Sequence, residues 1–192
     1  MPIPPIPIQG IALTIAALAM LQTTGNLAAA EQEHEQYAAH MHGEAHLLVA
    51  LEGDLLEIEL DSPAMNIVGF EHNPRDPGQE KIIQQAAAQL RQPDRLFTLP
   101  ASAGCVVEVV ELHFPQSETP AAGDAGEDPP DEAHQDIEAH YRYRCATAAQ
   151  LKQITLNLFN LFPATEAVEA QVISPGGQRQ LELTKQRNTL EL

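Results

Sequence analysis

Leu47-Leu48-Val49-Ala50-Leu51-Glu52-Gly53-Asp54-Leu55-Leu56-Glu57-Ile58-Glu59-Leu60 is the stretch that decides the fold class. Leu47, Val49 and Leu51 alternate with their neighbours, Glu52-Gly53-Asp54 turns, and Leu56, Ile58 and Leu60 alternate with Glu57 and Glu59. A period of two places one set of side chains on each face of a strand, so the stretch reads as a β-hairpin with a buried face and a wet face. Asp61-Ser62-Pro63 is expected to break the hairpin ahead of a third apolar stretch, residues 65–70.

Further along, Asp76-Pro77-Gly78-Gln79 reads as a helix start. Asp76 can cap free amides, Pro77 suits the first helical position, and Gln79 completes a capping-box spacing. The helix is expected to reach about residue 91 and to stop before Pro93, with Ile82, Ile83, Ala86 and Leu90 as its apolar stripe. Residues 105–114 read as a strand with Val106, Val110, Leu112 and Phe114 on one face, interrupted by Glu108. Residues 139–145 resume the alternation, with Tyr141, Tyr143 and Cys145 inward and His140, Arg142 and Arg144 outward. Three further strands are expected at 153–158, 167–173 and 179–184, the last two joined by Ser174-Pro175-Gly176-Gly177. The sum is an α+β fold, mostly antiparallel β-sheet with one main α-helix.

Between the strands at 105–114 and 139–145 the character changes. Residues 116–134 hold Glu118, Asp124, Glu127, Asp128, Asp131 and Glu132, three prolines, two glycines and no basic residue, the composition of a disordered acidic insert. Acidity pervades the chain of 192 residues: 10 Lys+Arg against 27 Asp+Glu leave a net charge of -17. Such a surface repels phosphate backbones and anionic headgroups and concentrates cations, so it excludes nucleic-acid partners and a polybasic membrane role.

Residues 1–30 carry none of that charge. They contain an apolar run, residues 11–21, too short for the roughly 20 residues of a membrane span, followed by Ala28-Ala29-Ala30. The pattern is that of a secretory signal peptide, which implies an exported protein with no membrane insertion after cleavage; a short uncleaved anchor is the alternative, since no Lys or Arg precedes the apolar run. Residues 31–45 then form a His-containing polar leader, and residues 46–192 a single α+β domain carrying the insert. Export also explains the cysteines. Cys105 and Cys145 are the two in the chain, and an even count in an exported protein reads as a disulfide. A thiolate metal site is disfavoured by the oxidising compartment and by the absence of C-x-x-C spacing.

Six of the eight histidines fall in two short polar segments: His34, His40, His42 and His46, then His134 and His140. In His40-Met41-His42 an extended backbone would aim both imidazoles to one side, close enough to share an ion. His72 stands apart, in Gly69-Phe70-Glu71-His72-Asn73-Pro74, and His113 reads as merely solvated. Imidazole and carboxylate without thiolate suit Zn²⁺, Ni²⁺ or Cu²⁺.

His40-Met41-His42-Gly43-Glu44-Ala45 and the run from Leu55 to His72, above all Ser62-Pro63-Ala64-Met65-Asn66-Ile67-Val68-Gly69-Phe70-Glu71-His72, resemble the ZrgA-type periplasmic zinc-binding proteins. So do Ala103-Gly104-Cys105, Tyr141-Arg142-Tyr143-Arg144-Cys145, Leu158-Phe159, Phe162-Pro163 and Ile173-Ser174-Pro175-Gly176-Gly177-Gln178. The resemblance implies a non-catalytic periplasmic protein that binds zinc and supports its acquisition beside a zinc ABC transporter or its solute-binding protein. Members of that family often carry a long His-rich segment where this chain has its acidic insert, so fewer or weaker ions are expected here.

The candidate metal ligands are therefore His40, His42, His72, His134 and His140. His40 and His42 are expected to anchor one ion, completed by His72 or a nearby carboxylate, and His134 and His140 a second, weaker one. Two alternatives stand beside this reading. One is a disulfide-stapled interaction module with incidental histidines. The other is a zinc hydrolase with Glu71 as base, which lacks an H-E-x-x-H motif.

Overall fold

The computed structural model describes residues 42–114 and 135–192, all within the compact unit Tyr37–Leu192. The expected signal segment, His34 and His40 of the leader, and the acidic insert with His134 lie outside the described residues.

The hairpin forms as its alternation dictates. Strands β1 (Glu44–Glu52) and β2 (Leu55–Pro63) pair antiparallel, with Leu47 opposite Leu60 and Val49 opposite Ile58. β1 begins inside the expected leader, because Glu44 and Ala45 pair in parallel with Ala167 and Val168 of β7 (Ala167–Ser174) and Ala45 is fully buried. At the other end, Asp61-Ser62-Pro63 does not break the strand. β2 runs through them beside β5 (Asp136–Cys145), with Ser62 opposite Ile137 and Pro63 opposite Asp136. Pro63, which has no N–H to give, is the last residue of the strand. The apolar stretch that follows is a one-turn helix, α1 (Ala64–Ile67), ended by Gly69 at φ 85°.

The main sheet has the order β4-β5-β2-β1-β7-β8, where β4 is Cys105–His113 and β8 is Gly177–Thr184. Every pairing is antiparallel except β1 with β7. A smaller sheet, β3-β6-β9, joins Phe97–Thr98, Gln153–Leu156 and Thr189–Glu191. The expected strand at 153–158 ends at Leu156 because Leu158 and Phe159, adjacent and both buried, cannot alternate; they form the short helix α4 (Leu158–Leu161).

Helix α2 (Pro77–Leu90) starts as its sequence reads, with Asp76 accepting from the amides of Gly78 and Gln79 at 2.7 and 3.0 Å. Gln79 reaches back to the amide of Arg75 at 2.7 Å, one residue before the cap. Its buried face is Ala86, Ala87 and Leu90, with Ile83 partly buried; Ile82 is exposed, contrary to expectation, because it sits on the flank of that face. A second short helix, α3 (Pro93–Leu96), leads into β3. Tyr141 donates to the carbonyl of Leu90 at 3.0 Å and meets the Phe97 ring edge to face, so α2 and β3 both cover the inner face of the main sheet.

Glu108 interrupts the alternation of β4 because it is a bulge. Val107 lies opposite Tyr143, Val109 opposite Arg142, and Glu108 is inserted between. The extra residue exchanges the faces on either side of it. Val110 and Leu112 therefore pack inward while Val106 is exposed, not buried as the plain alternation implies. Cys105 lies opposite Cys145, and the two form the disulfide. Among the described residues no helix is long and apolar enough to cross a membrane.

Candidate metal site

The site is built by backbone held at Gly43. Asn66 on α1 is 3% exposed; its side-chain oxygen accepts from the Gly43 amide and its side-chain nitrogen donates to the Glu44 carbonyl, both at 2.8 Å. From the opposite side, the amides of Glu166 and Ala167 donate to the Gly43 carbonyl at 2.7 and 3.0 Å. Gly43 itself has φ 91°, a value that L side chains rarely adopt. The strand entry is thus clamped from both flanks, and His42 stands on it.

The facing wall comes from the far end of α1. The Gly69 amide donates to the carbonyls of Ala64 and Met65, the left-handed helix ending that glycine favours. That turn brings Phe70, Glu71 and His72 back toward His42. The His42 Nε2 lies 3.1 Å from Glu71 Oε1. The His72 ring stacks on Phe70 with centroids 5.1 Å apart, and its Nδ1 lies 2.8 Å from the Asn73 carbonyl. A carbonyl only accepts, so Nδ1 is the donor, and the neutral ring in that tautomer would offer its Nε2 lone pair to a ligand. The same arrangement orients metal-binding histidines generally.

His42, Phe70, Glu71, His72, Arg75 and Gln135 are among the residues that line one open cleft of about 600 Å³. Gln135 belongs there because its carbonyl accepts from Ala64 at 2.7 Å and its side chain donates to Asn73 at 3.3 Å. Of the sequence candidates, His42 and His72 share this cleft. His140 does not; it lies on the outer face of the main sheet, 3.7 Å from Glu111. His40 and His134 lie outside the described residues, two positions before His42 and one before Gln135 in the chain.

The sequence marked Glu71 as a possible base and, with His72 and the second histidine cluster, as the place to seek the site should His40 and His42 not anchor the ion; it gave Asn66 and Gln135 no role. The signals were there: an asparagine inside an apolar run, and a glycine two residues ahead of a Glu-His pair. Their meaning depended on contacts 22 to 62 residues away along the chain.

The donor set of the cleft, imidazole and carboxylate, fits zinc. Among the described residues no three ligating side chains already converge on one point, so binding an ion here requires side-chain rotation or a further ligand. Comparison with curated proteins finds no match. A family model described as ZrgA family zinc uptake protein matches residues 39–192, which include every residue of the cleft. The chain belongs to the ZrgA family of zinc uptake proteins.

Proposed function

We propose that this chain is a periplasmic zinc-binding protein that takes up the ion at the His42–Glu71–His72 cleft and supports zinc acquisition beside a zinc ABC transporter or its solute-binding protein. The observation that carries the reading is the placement of His42 and Glu71 at 3.1 Å on the cleft that His72 also lines. Two imidazoles and one carboxylate would supply three of the four ligands zinc usually takes, and His40, next but one in the chain, is the proposed fourth. The net charge of -17 supports the reading, since it concentrates cations around the molecule. Each imidazole must be neutral to bind, so zinc is held at neutral pH and released on acidification.

The role proposed is binding, not catalysis. In this cleft Glu71 is the partner of His42, which makes it a ligand or an orienting group in preference to a general base. Zinc calorimetry tests the reading. His42→Ala with His72→Ala should weaken the tighter site at least tenfold, and His40→Ala with His42→Ala should do the same. Wild-type affinity in both double variants would refute the cleft. Cells lacking the protein should grow more slowly under zinc restriction, and recover with the wild-type chain but not with the His42→Ala/His72→Ala form.

A further inference from the structure

The outer face of the main sheet carries a second cluster that shares no residue with the cleft. On β4, Glu111 and His113 are alternate residues and project to one side; on β5, Glu138 and His140 do the same. Register sets Glu111 opposite His140 and His113 opposite Glu138. Leu112 and Ala139, between them, point into the core. Opposed β-carbons stand about 5 Å apart and alternate residues about 7 Å apart. The four side chains therefore occupy the corners of a rectangle, imidazoles on one diagonal and carboxylates on the other.

Several features make this arrangement more than charged surface. The His140 Nδ1 lies 3.7 Å from Glu111 Oε2. Ligands held at about 2.0–2.1 Å from a tetrahedral zinc ion are roughly 3.3 Å from one another, so this pair already stands near one edge of such a site. Glu59 of β2 lies opposite His140 on its other side. All five residues line one hollow of about 390 Å³. The arginines of β5 are engaged elsewhere, Arg142 by Glu57 and Arg144 by Asp54 and Glu108.

We propose that Glu111, His113, Glu138 and His140 form a second zinc site on the open face of the sheet. The inference rests on the reading of the chain as a zinc binder, but not on the cleft. Two nitrogens and two carboxylate oxygens form a set that takes zinc in preference to the oxygen-only sites of calcium and magnesium. No three of these four side chains converge on one point as they stand, so closing the site requires side-chain rotation on the paired strands, and its openness to solvent would let the ion exchange readily. His113, which the sequence presents as merely solvated, is the partner this geometry gives to His140.

The test is zinc calorimetry of the full exported chain, with side-chain NMR of the histidine rings. Zinc should shift the ring resonances of His113 and His140. His113→Ala with His140→Ala should remove one zinc equivalent and leave the tighter affinity unchanged. Glu111→Gln with Glu138→Gln, which preserves side-chain volume, should weaken the same equivalent at least fivefold. Wild-type stoichiometry and affinity in the histidine double variant, or rings of His113 and His140 that zinc does not move, would overturn the proposal. His42→Ala with His72→Ala separates the two readings. If that variant loses all zinc and the sheet rings stay unmoved, the sheet site is wrong and the cleft stands. If it keeps every equivalent while the sheet rings respond, the cleft is wrong and the sheet site stands.

Discussion

Asn66 does at the scale of one residue what a loop of fixed length could not. It is buried, and its amide satisfies one donor and one acceptor of the part-buried Gly43–Glu44 backbone. Removing one side of a buried hydrogen-bonded set costs more than the bond itself, because the remaining group stays desolvated. Asn66→Ala should therefore lower stability by about 2–3 kcal/mol in urea denaturation, and weaken the zinc binding proposed for His42 in the same variant. Tyr141 and Tyr143 act differently. Burial raises both phenol pKa values well above the ordinary value, with the neighbouring Tyr143 adding to the effect on Tyr141 and Asp94 to that on Tyr143. An acid whose pKa is raised by folding stabilises the folded state fully below the unfolded value, and that stability is lost as pH climbs past it. Stability should fall as pH rises above about 10, and Tyr141→Phe with Tyr143→Phe should flatten the fall in an alkaline denaturation series. The Tyr143 hydroxyl has no hydrogen-bond partner among the described residues whereas Tyr141 donates to Leu90, so at neutral pH Tyr143→Phe should cost less than Tyr141→Phe.

Among elements, the β4–β5 pair shows most plainly how local sequence and neighbours divide the work. Alternation made β5 legible, and the bulge at Glu108 made β4 half legible, since an inserted residue looks the same in sequence as a polar interruption. What settles it is the partner strand. Arg144 holds Glu108 at 2.7 Å, and Tyr141 and Tyr143 need Val110 and Val107 opposite them. The two strands are tied at one end by the Cys105–Cys145 disulfide and, past the bulge, stay paired as far as His113 opposite Glu138. A connection between strand ends already held together can change length at little cost, roughly 0.6 kcal/mol for each doubling. Deleting residues 116–130 should thus leave the thermal midpoint within a few degrees of wild type. A collapse of the transition would show that those residues contribute to the core.

For the whole molecule, ligand binding and stability are linked. An ion that binds the folded chain and not the unfolded one stabilises it by mass action, about 2.7 kcal/mol at a hundredfold excess over the dissociation constant. Scanning calorimetry should show the midpoint rise with zinc and return with a chelator, and the rise should shrink in the His42→Ala/His72→Ala variant. How much of this molecule was legible beforehand follows the range of the forces involved. The hairpin of Leu47 to Leu60, the start of α2 at Asp76 and the inward set of Tyr141, Tyr143 and Cys145 depend on periods of two and on caps within a turn, so the sequence by itself determined them. The disulfide was legible because two cysteines allow a single pairing within the chain. The histidines were legible as a composition and not as a site. His42 meets Glu71 across 29 residues of chain, and Gln135 meets Asn73 across 62. His140 is placed beside Glu111 and in the row next to His113 by a strand register that a bulge shifts. Only the tertiary structure decided which imidazole faces which carboxylate, because those pairings are set by packing between distant segments and carry no periodic signal of their own.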